Sequence, residues 1–187
     1  TKVSEQFIDG TADLVPNFTL EELLYQEFSK LGVPTYTAEE FEYADKLVKS
    51  YENPDPDLPG IKKVEDPEVI AFIKEHSNNG TKALNDFLVP YKPSTKASMG
   101  STDVGDVSWL TPTAQIGVVG FTSKAPGHSW QNVSTSCTSI AHKGVLHAGK
   151  VLAAAAIELY EHPEIIEKAT VEFKEKTAEG YTCPIPP

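Results

Sequence analysis

Apolar residues recur at helical spacing over much of the chain. Leu20, Leu23, Leu24, Phe28 and Leu31 fall on one face of a helix that stops at Gly32 and Pro34. Thr19, followed three residues on by Glu22, reads as its capping box. Thr37 and Glu40 repeat that signal before a second stripe of Phe41, Ala44, Leu47, Val48 and Tyr51, which ends before Asn53-Pro54-Asp55-Pro56. Residues 53–60 are turn formers and predict an exposed connector. Asp66 as cap and Pro67 at the first helical position open a third helix with Val69, Ile70, Phe72 and Ile73 on its apolar face, closed by Asn78-Asn79-Gly80.

The pattern then changes period. A weak strand signal spans residues 3–8, and an apolar run at 84–89 reads as a strand before a polar loop at 93–100. Residues 113–121, Thr-Ala-Gln-Ile-Gly-Val-Val-Gly-Phe, are a near-continuous β-prone run of the kind expected for a strand covered on both faces. A long helix over 139–160 carries Ala141, Gly144, Ala148, Ala155 and Ala156, small enough to let another backbone approach closely. Pro163 opens a last helix, 164–178, closed by Gly180, and the tail Cys183-Pro184-Ile185-Pro186-Pro187 is non-helical. The expected fold class is therefore α/β, with helices packed on a mostly parallel sheet. No internal repeat is present.

Charge narrows the partners. The 187 residues include 27 acidic and 16 basic side chains, for a net charge of -11, which argues against a nucleic-acid ligand. All 16 basic residues are Lys, so an anion must be held by Lys, backbone N–H groups or a metal. No apolar run approaches the roughly 18 residues of a membrane span, so no membrane partner is expected. The opening Thr1-Lys2-Val3-Ser4-Glu5 has neither an initiator Met nor a signal-peptide profile and reads as a chain entered in its middle. Two cysteines, Cys137 and Cys183, make neither a disulfide scaffold nor a zinc-finger spacing; a reduced, cytoplasmic setting is the expectation, with Cys137 a small apolar filler.

Two loops carry candidate chemistry. Residues 99–109 put Gly100, Ser101, Thr102, Asp103, Gly105 and Asp106 just before the apolar run, where free amides at a turn or short helix start can hold an anion; as a loop composition, it is also ordinary. Residues 125–130, Ala-Pro-Gly-His-Ser-Trp, follow the run directly, and loops after strands are where α/β sheets place ligands. His128 there is a metal ligand or general base, or else a surface histidine in a turn. His142 and His147 lie five apart and so share no helix face as a metal pair would. His76 near a helix end and His162 before Pro163 need no function. A phosphate-binding loop and a Gly-x-Ser-x-Gly nucleophile motif are both absent.

Taken together, residues 100–109, Pro112, Gly127-His128-Ser129-Trp130 and Ala141-His142-Lys143-Gly144 resemble the carboxyl-terminal part of the aminobenzoyl-glutamate hydrolase family. These are amidohydrolases of the metallopeptidase group that includes aminoacylase and the glutamate-releasing carboxypeptidases. Leu14-Val15-Pro16-Asn17-Phe18-Thr19-Leu20 looks like the crossing from that family's inserted lid domain to its catalytic domain. The resemblance implies the end of a lid and crossing at 1–18 and, at 19–187, the carboxyl-terminal half of a zinc-peptidase-like catalytic domain. It implies a divalent metal, usually zinc, with His128 as one ligand. Gly100, Ser101, Thr102 and Asp103 would hold a substrate carboxylate or oxyanion, and His142 would stand behind the ligands.

The family's other ligands, a His-x-Asp motif and a Glu-Glu pair, belong to an amino-terminal half. No His-x-Asp occurs here, and Glu21-Glu22 and Glu39-Glu40 read as solvated helix caps. One ligand cannot hold a dinuclear site. The expected partners are thus a small N-acyl amino acid or peptide substrate and the missing amino-terminal half, in cis or in trans, and a homo-oligomer stays open. No catalytic residue is assigned to this chain, which is expected to be inactive alone. The alternative is a truncated or split-gene chain that acts as a non-catalytic assembly or binding partner.

Overall fold

The computed structural model describes residues 1–58, 61, 64–96 and 100–185. Parts of three sequence expectations, the connector at 59–60, the loop at 97–99 and the tail at 186–187, lie outside the described residues.

Seven helices are found among the described residues: α1 (Phe18–Leu31), α2 (Ala38–Val48), α3 (Pro67–His76), α4 (Val104–Ser108), α5 (Trp130–Ser136), α6 (Ser139–Glu161) and α7 (Pro163–Lys176). Those predicted from apolar periodicity form close to their expected limits. The α2 capping box is complete: Thr37 Oγ1 accepts from the Glu40 amide, and the Glu40 carboxylate accepts from the Thr37 amide at 2.7 Å. Asp66 caps α3 through the amides of Glu68 and Val69, with Pro67 leading the helix.

The cap of α1 corrects the expected Thr19 box. Asn17 is the N-cap, its Oδ1 accepting from the Leu20 amide at 3.1 Å while its Nδ2 donates to the Ala169 carbonyl at 2.9 Å. Thr19 instead lies within the helix, where its amide and hydroxyl both donate to Glu172 of α7. The local pattern could not show this, because the carboxylate that competes for Thr19 comes from the far end of the chain.

No strand or sheet forms among the described residues, so the expected α/β fold with helices on a parallel sheet is not observed. Residues 3–8 lie in an arm whose Val3 and Ile8 are 91% and 82% exposed. Residues 84–89 are turns and irregular chain, and Leu84 is buried without joining a ladder. Residues 113–120 carry no secondary-structure assignment, and no backbone hydrogen bond joins residues 114–121 to another described residue. Apolar β-prone sequence becomes a strand only when a second backbone lies alongside to pair with it, and no described residue does so here.

Helices supply the core instead. Leu23, Leu24 and Phe28 of α1 meet Val151 and Ala155 of α6, with Ala114, Ile116, Val118, Leu88 and Ile165 packed around them. A second cluster joins Ala44 of α2, Ala83, Leu84 and Ile140 of α6, and Val119 packs against it. Full burial of each large side chain contributes about 1.5–3 kcal/mol. Thus α6 runs through both clusters, and residues 114–119 lie across them.

The start of α1 is held by α7. Glu172 accepts from the Phe18 amide at 2.6 Å, the Thr19 amide at 2.9 Å and the Thr19 hydroxyl at 2.7 Å, and pairs with Lys176 at 2.7 Å. Burial alone would raise its pKa, but Lys176 and these donors outweigh it and hold the carboxyl down at about 2. Lys176 also donates to the Pro16 carbonyl at 2.8 Å and lies 3.5 Å from the centre of the Phe18 ring.

A carboxyl whose folded pKa lies below its unfolded value of about 4.3 adds stability above that value and loses it as pH falls toward the folded one. Glu172 is therefore expected to contribute on the order of 1–3 kcal/mol at pH 7, lost between about pH 5 and pH 2. Urea unfolding as a function of pH checks this: Glu172→Gln should be less stable at pH 7 and show a flatter slope over that window. An unchanged slope would remove Glu172 as the titrating group.

Candidate functional site

The 113–121 segment is placed by one close approach. A Cβ built on Gly144 of α6 would stand 2.2 Å from the Val119 carbonyl oxygen, so only glycine admits this backbone so near the helix. Ala141 and Ala155 are buried as expected, whereas Ala156 faces solvent. The segment's far side is open, with Gln115 and Gly117 exposed.

Beyond the segment, the chain is pinned at three points. The Ser123 amide donates to the Ala83 carbonyl at 2.7 Å, Tyr51 and Thr122 share a short hydroxyl hydrogen bond, and the Asp55 amide donates to the Lys124 carbonyl at 3.0 Å. Lys124 and His128 both adopt left-handed backbone, at φ 59 and 55, an uncommon conformation away from glycine. Ser129 then caps α5 through the Asn132 amide. Helix α5 is not foreseen by the sequence pattern, since its seven residues carry no apolar stripe; only Ser129 hints at a start. Its Gln131 reaches the Ser50 carbonyl at 3.5 Å and its Ser134 accepts from the Tyr43 hydroxyl at 3.1 Å, fixing it against the end of α2.

His128 is exposed at the tip of this loop. Gly100, Ser101, Thr102 and Asp103 are exposed at the start of α4, Thr102 accepting from the amides of Val104 and Gly105 through its hydroxyl and carbonyl. Helix α4 is anchored to a different part of the chain. The Ser108 hydroxyl accepts from the Val15 amide at 2.8 Å, Asp106 accepts from the Ala12 amide and the Tyr181 hydroxyl, and the Trp109 ring donates to the Asp13 carbonyl. A Cβ on Gly105 would stand 2.1 Å from the Ala12 oxygen. The hydrogen bond to Asp106 raises the Tyr181 pKa. His142 is exposed on the first turn of α6. No hydrogen bond or ion pair joins 100–103, His128 and His142 to one another among the described residues.

No group of three His, Cys, Asp or Glu that could hold a metal occurs among the described residues. The described donors therefore do not gather into a metal centre, and His128 has no pair of further His, Cys, Asp or Glu beside it among them. His147 is buried against the Phe28 ring, centroids 4.8 Å apart, with Nε2 unpartnered, and serves the core. Cys137 and Cys183 are free and exposed, which corrects the reading of Cys137 as core filler.

Glu40 corrects another expectation. It caps α2 as expected but is only 8% exposed, covered by α6 through Ser139, 2.5 Å from Oε1, and Lys143, 2.6 Å from Oε2. Burial raises its pKa, yet Lys143, Ser139 and the Thr37 amide prevail and leave it below the usual carboxylate range. Burial and the neighbouring Glu40 push the Tyr36 hydroxyl the other way, up to about 12.

A groove of about 820 Å³ runs along the open side of the extended segment. Leu24, Tyr25 and Phe28 of α1 line it together with Leu88 and Tyr91 and the 115–125 backbone. Tyr91 stacks near Tyr25, centroids 5.9 Å apart, and donates to Glu21 at 3.0 Å; burial and that carboxylate raise its pKa. The groove ends at Lys124 and Ala125, just before the His128 turn, and does not include residues 100–103.

From arm to tail the chain resembles a hydrolase of the aminobenzoyl-glutamate type, in keeping with the motifs at 100–144. The particular relative is a subunit of the p-aminobenzoyl-glutamate hydrolase of Escherichia coli, 33% identical over an alignment of 189 positions that takes in 100% of this chain. The chain spans 39% of that protein's length, a share that fits a carboxyl-terminal part. No protein-family profile matches, and no solved structure matches.

The Gly144 contact is open to a test of sign. Alanine in a helix is ordinarily better than glycine by about 1 kcal/mol. Because a Cβ here meets the Val119 carbonyl, Gly144→Ala should instead lose about 1–3 kcal/mol in urea unfolding. A stabilised variant would refute the close approach.

Proposed function

We propose that this chain is the carboxyl-terminal part of a metal-dependent amidohydrolase that cleaves the amide bond of N-acyl or aroyl amino acids such as aminobenzoyl-glutamate. It is inactive until joined by the amino-terminal half. The observation that carries this reading is the 33% identity running through the whole chain. In this reading residues 1–18 are the crossing from a lid domain, and the remainder belongs to the catalytic domain.

His128 is the ligand this chain contributes to a divalent metal, zinc being the expected ion. Its exposed position, in a left-handed turn beyond a pinned loop, suits a ligand presented to donors on another part of the protein. The remaining ligands and the carboxylate that activates water come from the amino-terminal half, so no chemical step is assigned to residues here. Gly100, Ser101, Thr102 and Asp103 hold the substrate carboxylate or the developing oxyanion with amides and a hydroxyl, a role that suits a chain without Arg. His142 supports the site without touching metal.

The relative's name describes one of the subunits of its hydrolase, which argues for a second kind of chain as a partner here too. No helix among the described residues is long and apolar enough to cross a membrane, and a cytoplasmic setting is part of the proposal.

The test is a chimera in which this chain replaces the matching part of the Escherichia coli protein, assayed for release of aminobenzoate from aminobenzoyl-glutamate and for bound metal. The chain alone should be inert and the chimera active. A folded chimera without hydrolysis would instead favour the non-catalytic assembly role. Within an active chimera, His128→Ala should lower the rate about 100-fold or more and reduce metal content; full activity with normal metal would end its assignment. Asp103→Asn should lower turnover with little change in melting temperature, whereas a loss confined to stability would make Asp103 a turn residue only.

A further inference from the structure

We infer that Tyr181, in the tail, is a positioning residue for the 100–103 loop: through Asp106 it fixes the direction in which that loop meets a substrate carboxylate. The inference rests on the proposed function, in which 100–103 hold such a group, and it names what holds the loop in turn.

The loop has no anchor of its own. Among the described residues, the hydrogen bonds of 100–103 run only from the Val104 and Gly105 amides to Thr102. Asp103 stands at the cap position of α4 without a side-chain cap hydrogen bond. The loop therefore inherits its placement from α4. A helix of five residues does not persist by itself, because so few turns do not offset the cost of nucleation. What α4 is tied to thus decides where the loop lies.

Among the described residues, hydrogen bonds tie α4 and Trp109 to two places. One is the 12–15 arm, through Ser108, Trp109 and Asp106. The other is Tyr181, whose hydroxyl donates to Asp106 Oδ1 at 2.5 Å and whose ring stacks on Trp109, centroids 6.1 Å apart. The same Oδ1 accepts from the Ala12 amide at 3.3 Å. Asp106 is the point at which arm, tail and helix meet, and it lies one helical turn from Asp103. The tail meets the arm again at Gly10, where a Cβ would stand 3.2 Å from Pro184 Cβ.

The strength of the ties differs. A phenol donating to a carboxylate at 2.5 Å makes a charge-assisted bond, stronger than the longer amide contact on the same oxygen. Tyr181 belongs to neither apolar cluster, so its hydroxyl can be removed with the core intact, and phenylalanine keeps the ring on Trp109. With the hydroxyl, the loop is ordered before substrate arrives. Without it, ordering the loop is charged to binding, and the loss falls on substrate affinity rather than on the chemical step.

Two measurements on Tyr181→Phe test this. In the isolated chain, hydrogen exchange of the Gly105 amide should quicken about 10-fold or more while α6 amides keep their rates. In the chimera, KM for aminobenzoyl-glutamate should rise about 10-fold with kcat held within about twofold. Asp106→Asn retains Oδ1 as acceptor for both donors and should stay within about threefold of the parent KM. Asp106→Ala should raise KM at least as far as Tyr181→Phe does, and adding Tyr181→Phe to it should change nothing more.

A smaller folded fraction lowers kcat and leaves KM where it was. That result, or an unchanged KM in an active chimera, overturns the inference and leaves the hydrolase reading in place. A folded chimera without hydrolysis removes the proposed function and the substrate role of Tyr181 with it; quickened exchange would then leave Tyr181 as a clamp on α4 alone.

Discussion

The backbone of residue 119 against the α6 helix at Gly144 is the contact from which most of the site geometry follows. A helix surface normally keeps a neighbouring backbone at side-chain distance. Removing one Cβ lets the Val119 carbonyl reach the helix itself, within 2.2 Å of where that atom would be. That approach puts Ala114, Ile116 and Val118 into one core cluster and Val119 into the other. Once the segment is fixed at this depth, its continuation emerges at Thr122 and Ser123, both buried, where Tyr51 and Ala83 catch it. The His128 turn is thus presented by the core rather than by the loop's own preferences.

A second constraint comes from the lack of Arg. Two carboxylates sit at the start of a helix, Glu40 accepting one backbone amide and Glu172 two, and each is paired with one Lys and accepts from one hydroxyl. The lysine pairs are single contacts, not two-pronged ones, so the amides and hydroxyls complete the coordination. In both cases the carboxylate joins elements distant in sequence: α7 to α1, and α2 to α6. Charge here serves helix ends and helix packing together, and it leaves both residues outside any catalytic pair.

Helices were legible because their signals are local. The stripes of α1, α2 and α3, the Thr37 and Asp66 caps, the Pro163 start of α7 and the Gly180 stop all act within a few residues of the backbone they govern. What failed was anything decided at long range. Thr19 looked like a cap until Glu172 took its donors, and Glu40 looked solvated because a capping pattern says nothing of what packs above it. The strand at 113–121 failed for the same reason in reverse: its composition is β-prone, but a ladder needs a second backbone, and no described residue offers one. For the site, the sequence placed His128 and residues 100–103 on loops flanking one segment, which is where they lie. It could not tell that each loop is tied to a different part of the chain, α4 to the 12–15 arm and the His128 loop to Ala83 and Tyr51.

Helix α6 carries the same tension between local pattern and missing neighbours. Its Ile140, Gly144, Val151 and Ala155 are buried, yet Val145, Leu146, Leu152 and Ile157 on its other sides are 50–68% exposed. His142 and Lys150 share that exposed surface, so the helix is mixed on its outer side and apolar where it meets the core. The open backbone of 114–121 and the exposed apolar side of α6 are thus the two outer faces of one contact, the approach of Val119 to Gly144, which fixes their depth in the core without covering either.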